Sequence, residues 1–472
     1  MLGDTPLVSS PAAIHERMVR IDLEAFNPAR RGMQLPLLGG KQFVAERRTL
    51  EIRDLDDYTW RGSIQLEDGR QGEATFTVHH GAVAGLINTP EGDAYELRAI
   101  GGGKHLLTEL APNLFRECAD PREPLSSEMA PQVAGEPIAM NDSDGTIDIM
   151  VLYTDDTRAA AGGTAAIEAT VQSAVDLANT AYANSGVTTR MRLVYKGEYS
   201  YAETGSASAD LTAVRNDTTI AALREQYKAD LVSFVVESCD YCGIGYLMSS
   251  LTTAFAPNAY NVVARACVAA NLTLAHESGH NMGCDHDPAN AGGSGMYAYN
   301  RGHFVDGVFR TVMSYNSQCA SGCTRVPYFS NPAVSYSGYP TGVATARDNH
   351  LVLNNVAATV ANFKQQTTTG GGSSGGGSNG SGVPWLPSQL RLVSAVNGGL
   401  QVRWNDNATN ENGYNLYKWS AGGWTLAKSV SANVTTTTVT GLGRRATVTL
   451  IVRAFNGAGL SAISNELTAK TK

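Results

Sequence analysis

His276-Glu277-Ser278-Gly279-His280-Asn281-Met282-Gly283-Cys284-Asp285-His286 reads H-E-x-x-H-x-x-G-x-x-H. Two histidines four apart lie one above the other on a single helical face, where one metal ion can take both rings. Gly283 can adopt the left-handed backbone that stops a helix and reverses the chain. The reversal lets His286 supply a third imidazole from outside the helix. Three protein ligands leave one zinc position open, the mark of a catalytic site and not a structural one. Glu277 follows the first ligand and can reach a water on the metal without binding the metal, which suits a general base. One catalytic Zn²⁺ is therefore expected. Calcium cannot be derived from these residues.

Outward from this stretch, the chain breaks into modules. A strand at Thr146–Tyr153 opens the one that holds the zinc motif. Helices at about 163–184 and 210–228, strands at Met191–Tyr195 and Asp230–Val236, and a closing helix at Val352–Phe363 give a mixed α/β domain. Residues 1–135 form a β-rich module, with strands expected at Thr59–Ile64, Ala74–Val78 and Ala94–Arg98. Asp120–Pro137 reads as an exposed connector open to proteolysis. Residues 367–383 are a Thr, Gly and Ser tract that cannot bury a core and serves as a tether. The tail, 384–472, alternates as sandwich strands do at Leu400–Trp404, Gly413–Tyr417 and Thr449–Ala454.

The 472 residues carry a net charge of −8, which argues against nucleic acid or an anionic membrane as the main partner. No apolar run reaches the ~18 residues of a membrane span. The opening Met1-Leu2-Gly3-Asp4 lacks the basic start and apolar core of a secretory signal. The cysteines nevertheless suggest export, with a signal removed before the numbering begins. Six of the seven (239, 242, 267, 284, 319 and 323) share one module, which predicts a disulfide framework in an oxidising compartment. Cys239-x-x-Cys242 belongs to that framework on this reading, and Cys319 with Cys323 is close enough for a local bridge.

Thr311-Val312-Met313-Ser314-Tyr315 lies beyond the zinc stretch. Together the two segments resemble the metzincin metalloproteases, in which Met313 would form the Met-turn floor under the three histidines. Gly279-His280-Asn281-Met282-Gly283, with Asp287 after His286, is similar to the reprolysin (adamalysin-like) branch. So are Asp230-Leu231-Val232 and Gly243-Ile244-Gly245-Tyr246. The resemblance, over about 145–366, implies an α/β catalytic domain with a twisted mixed sheet and an active-site helix. It implies a peptidase in which Glu277 takes the proton of the attacking water. Gly243, Ile244 and Gly245 would form the edge strand against which substrate is laid. Tyr328 and Phe329 would wall the pocket past the scissile bond, or else be core. Tyr315 looks like the displaceable extra ligand of astacins and serralysins, and Asp287 like a structural hydrogen-bonding group. The tail resembles a fibronectin type III domain, with Trp404 as its core tryptophan, and departs from it at Val448, where that family carries its corner tyrosine.

Cys118 stands alone far upstream. If residues 1–135 are an inhibitory pro-domain, its thiol could fill the open zinc position until cleavage, as pro-region cysteines of metzincin zymogens do. Its surroundings do not match the known switch motifs, so the reading rests on position and cysteine parity. Asp120 is the alternative blocking residue, by analogy with astacins. The sequence thus points to a secreted zinc endopeptidase made as a zymogen. Protein or peptide substrates and its own propeptide would be its partners, and a C-terminal domain would bind substrate or a surface. The alternatives are a non-catalytic adhesion protein on a metzincin scaffold and a zinc amidase acting on a non-protein substrate.

Overall fold

The computed structural model describes residues 10–121, 145–292, 295–365 and 382–472. The chain falls into two compact units. One comprises Met1–Arg20, Leu35–Ala45 and Arg61–Gln366. The other comprises Ile21–Gln34, Glu46–Trp60 and Thr367–Lys472. The expected connector after Asp120 and the expected Thr/Gly/Ser tether both lie almost wholly outside the described residues.

The N-terminal strands are β1 (Ala13–Val19), β2 (Gly32–Pro36), β3 (Gln42–Asp54), β4 (Asp57–Gln65), β5 (Gln71–His79), β6 (Ala82–Asn88), β7 (Ala94–Ala99) and β8 (His105–Leu110). They form one sheet in the order β1-β8-β7-β6-β5-β4-β3-β2. The three strands expected from sequence fall on β4, β5 and β7.

The zinc-motif domain follows with β9 (Ile147–Tyr153), α1 (Asp155–Ala161), α2 (Thr164–Asn184), β10 (Met191–Glu198), α3 (Ala207–Asn216), α4 (Thr218–Tyr227), β11 (Leu231–Val236), β12 (Gly243–Gly245), β13 (Tyr260–Ala264), α5 (Arg265–Val268), α6 (Thr273–Asn281) and α7 (Asn349–Val360). Its sheet runs β10-β9-β11-β13-β12. The first four strands are parallel, and β12 is antiparallel at the edge. β9 and β11 are buried at every position, as parallel strands covered on both faces must be. The single helix expected at 210–228 is two. Asp217 turns extended between them and accepts the N–H groups of Thr219 and Ile220, capping α4.

Within the first unit, the N-terminal sheet packs on α2. Thr77 Oγ1 donates to Asp176 Oδ2 (2.6 Å) and Arg61 Nε to Thr180 Oγ1 (2.9 Å). Tyr328 Oη and Asn184 Nδ2 both donate to the Glu73 carboxylate, at 2.8 and 2.7 Å.

Asp230 enters β11 buried. Its carboxylate accepts the N–H of Asp148 at 2.9 Å and of Lys364 at 3.0 Å. Burial pushes its pKa up to about 8, the two N–H groups pulling the other way. An unfolded Asp ionises near pH 4, whereas the native one keeps its proton to about pH 8. The native state thus binds the extra proton, and this stabilisation is full below about pH 4 and lost as pH rises through about 8. Between those limits, wild type should lose urea resistance with rising pH more steeply than Asp230→Asn. Parallel slopes in the two proteins would mean that Asp230 is already ionised in the fold.

In the second unit the tail forms two facing sheets. Strands Ser388–Val396, Gly399–Asn405 and Thr436–Val439 make one, and Gly413–Ser420, Gly423–Ser431, Thr447–Asn456, Gly459–Leu460 and Leu467–Lys470 the other. Trp404 is buried between them beside Tyr414, and Val448 is core. The tail is not alone in this unit. Tyr58 packs edge-on to Trp419 and donates to Gly422 O (3.2 Å), Glu24 accepts Gly422 N–H (2.7 Å), and Arg453 pairs with Asp54 at 2.5 Å. Two N-terminal segments, Ile21–Gln34 and Glu46–Trp60, thus belong to the same compact unit as the tail.

Candidate active site

α6 carries His276 and His280 one turn apart. It ends where Gly283 turns left-handed (φ +82°), with Gly283 N–H bonding His280 O and Cys284 N–H bonding Gly279 O, both at 2.9 Å. This is the Schellman closure that frees the chain to swing back. The swing carries His286 to the other two. The three Nε2 atoms lie 3.1–3.2 Å from one another. Nitrogens on a tetrahedral zinc at ~2.0–2.1 Å stand ~3.3–3.4 Å apart, so the triangle fits that ion.

The opposite ring nitrogens fix the tautomers. Nδ1 of His276 faces Val312 O (2.8 Å), that of His280 Cys284 O (2.8 Å) and that of His286 Asn290 O (3.3 Å). Each Nδ1 must donate its hydrogen, so each Nε2 lone pair faces the centre. Burial pushes all three rings down, His280 to about 4, which keeps them neutral and able to ligate.

Glu277 is buried beside them. Apart from the Cys118 thiol, neither carboxylate oxygen has a hydrogen-bond partner among the described residues. Burial raises it to about 8, with the thiol and Arg325 pulling down. Gly243 makes room for it: a Cβ there would come within 2.7 Å of Glu277 Oε1.

Met313 is fully buried with its sulfur against Gly279 of α6. Asp287 ties the adjoining turn to the zinc-helix side by accepting Tyr315 N–H (3.0 Å) and two contacts of 2.9 Å from Asn290 Nδ2. The Tyr315 ring stands 4.2 Å from that of His286.

Residues 116–119 run along the edge strand. Cys242 N–H donates to Glu117 O (3.1 Å) and Ala119 N–H to Gly243 O (2.8 Å), so the two chains advance in the same direction. Tyr315 Oη donates to Cys118 O at 2.6 Å, Asn316 N–H to Glu117 Oε1 at 2.7 Å, and Arg116 to Cys239 O. Cys118 Sγ, a His276 ring nitrogen and a Glu277 oxygen all lie within 4.8 Å of one another. Burial drives the thiol well above its ordinary pKa. The structure therefore gathers His276, Glu277, His280, His286, Tyr315, Gly243 and Cys118 at one place.

Phe329 is elsewhere, in the core against Tyr182 behind α6. Tyr328 packs with Phe309, Val326 and Tyr336 and bonds Glu73. Neither presents an open wall. The six-cysteine framework reduces to Cys242–Cys267 and Cys319–Cys323, while Cys239 and Cys284 are buried free thiols with Cys118. The expected local bridge is present, Cys242 pairs within the cluster as expected, and Cys239 and Cys284 stay outside the framework.

Two residues that the sequence did not single out stand next to this centre. Arg310 and Arg325 are buried side by side (1% and 4% exposed) with their backbones bridged. Arg310 Nη1 and Arg325 Nη2 share Ser314 O (2.7 and 3.2 Å), and Arg310 Nη2 and Arg325 Nη1 bind Asn271, two residues before α6. Burial, then Arg325, lowers Arg310 to about 9. Fifteen positions separate the two in sequence, and no local spacing marks them.

A reprolysin family model, described as Metallo-peptidase family M12, matches residues 143–330. The chain is 31% identical over 380 residues to a peptidyl-Asp metalloendopeptidase of Xanthomonas campestris, covering 76% of this chain and 88% of that one. It is 30% identical over 390 residues to one of Stenotrophomonas maltophilia, with the same shares. It is 37% identical over 246 residues to one of Pseudomonas aeruginosa, covering 46% and 40%. Among solved structures, the fibronectin type III domain of human fibronectin type III domain containing protein 3 is 25% identical, covering 20% of this chain and 92% of that one with a TM-score of 0.18. With its three converging imidazoles and these relatives, the chain belongs to the reprolysin-like M12 metallopeptidases and is a metalloendopeptidase.

Proposed function

We propose that this protein is a secreted zinc endopeptidase, made as a zymogen and directed to peptide bonds at aspartate. The observation that carries the reading is the triangle of neutral imidazoles with a buried carboxylate beside it and residues 116–119 laid across it. His276, His280 and His286 hold the metal. Zinc supplies Lewis-acid chemistry at such a site, polarising a carbonyl and acidifying water. Glu277 takes the proton of the attacking water and passes it to the leaving amine. The Cys242 N–H and the Gly243 carbonyl at the edge of the sheet bind substrate backbone where residues 117–119 now lie. Tyr315, once that segment leaves, turns its hydroxyl to the reacting carbonyl oxygen.

Residues 1–135 are the pro-region on this reading, 136–366 the catalytic domain and 384–472 the fibronectin type III module. Cys118 is the latch. The two disulfides support an oxidising compartment, and no helix among the described residues is long and apolar enough to cross a membrane. The aspartate preference is taken from the names of the bacterial relatives.

The test is proteolysis of casein and of an Asp-containing peptide by the matured enzyme. Dialysis against a zinc chelator should abolish both, and one equivalent of zinc should restore both. Full activity in metal-free protein would end the proposal.

A further inference from the structure

The buried pair Arg310 and Arg325 is unexplained by the hydrolytic machinery. No carboxylate of the described residues forms an ion pair with either. All their hydrogen-bond acceptors are neutral: Cys323 O, Ser314 O, Asn271 O and Asn271 Oδ1. Buried guanidinium groups without a counter-charge are costly, and two side by side repel. Arg310 has a partner at each of its three nitrogens, whereas Arg325 Nε is buried with none. The pair spans Ser314, between Met313 and the ring of Tyr315, and Asn271, which leads into α6. It therefore backs the wall next to Glu277 and the histidines.

Arg325 acts electrostatically on Glu277 and on each of the three histidines. An acid already sits by this wall: Glu117 bonds Asn316 N–H and is among the anions that stabilise charged Arg310.

We infer that Arg325 is the residue that reads the substrate's aspartate, its Nε edge binding the side-chain carboxylate while Arg310 holds the guanidinium in place. The inference rests on the proposal that the enzyme is directed to aspartate. A planar fork matches a carboxylate in two parallel hydrogen bonds, and a buried cation discriminates strongly against the neutral amide of the same shape. Arg325 would be a specificity residue touching substrate, and Arg310 a positioning residue.

Peptides identical but for Asp, Asn, Glu or Ala at the scissile position test this, with kcat/KM measured for the matured full-chain product. Wild type should favour Asp over Asn. In Arg325→Gln the Asp:Asn ratio of kcat/KM should fall on the order of 10²–10³-fold, the loss for one partner of a buried charge pair. Arg325→Lys should keep the charge, lose the fork and cut the Asp:Asn ratio about tenfold. A wild type indifferent to Asp and Asn would remove the aspartate proposal itself, and this inference with it. A wild type that prefers Asp beside an Arg325→Gln that keeps the same ratio, or loses all peptides equally, would leave the proposal standing and overturn the role of Arg325. If Arg325→Gln does not fold, the ratio in Arg325→Lys decides. So does a crystal structure of the wild-type enzyme with an Asp-bearing product, where a carboxylate beyond hydrogen-bond reach of Arg325 overturns the inference.

Discussion

Cys118→Ala should give an intact, uncut chain that digests casein. On the zymogen reading the sulfur is the only atom of residues 116–119 that competes for the metal. Its neighbours, a His276 nitrogen and a Glu277 oxygen within 4.8 Å, are the groups that must be free for catalysis. Removing it leaves the backbone bonds to Cys242 and Gly243 and the Glu117–Asn316 contact, so the segment stays near but is no longer anchored. Loss of an anchoring interaction worth ~3 kcal/mol shifts a closed–open equilibrium about 100-fold, and activity of the uncut chain should rise by that order. Cys118→Ser keeps the shape with a poorer ligand and should fall between. Asp120→Ala should leave latency intact. The measurement is casein hydrolysis normalised to intact chain on a gel. An uncut Cys118→Ala as silent as its parent would remove the latch, and an active uncut Asp120→Ala would move it to Asp120.

Glu277→Gln should abolish hydrolysis by the matured enzyme while leaving one zinc per chain. Glutamine fits the same space against Gly243 and cannot accept the proton of an attacking water. General-base catalysis by a positioned carboxylate is worth ~10²–10⁴-fold, and the loss should lie in kcat and not KM. Zinc content and thermal midpoint should match wild type, because the metal's ligands are the three imidazoles. A variant within about tenfold of wild type would show that another group carries the proton.

The cluster of three histidines was legible because its geometry is written locally. Helical spacing fixes His276 and His280, one left-handed glycine returns His286, and Met313 and β12 lie within familiar distances of that helix. The long parallel strands were legible for a similar reason: continuous apolar runs such as Leu231–Val236 leave little choice. What was missed depends on contacts between distant residues. Cys239 and Cys242 are neighbours in sequence, yet Cys242 bonds Cys267 and Cys239 stays reduced. Phe329 sits one residue beyond Tyr328 and turns to a different core. The charge on Arg325 carries no period, so only its company with Arg310 gives it meaning. Asp217 is the exception, a local capping signal inside what looked like one helix.

The N-terminal sheet grips α2 through Thr77, Arg61 and Glu73, at a distance in sequence from any cut after Asp120. On the zymogen proposal, scission of the covalent chain would therefore not amount to release. The severed fragment keeps its own foothold and should persist as a bound inhibitor, so that activation follows two clocks, one set by the processing protease and one by dissociation. Enzyme that has just been nicked would remain dormant until diluted or until the fragment is destroyed.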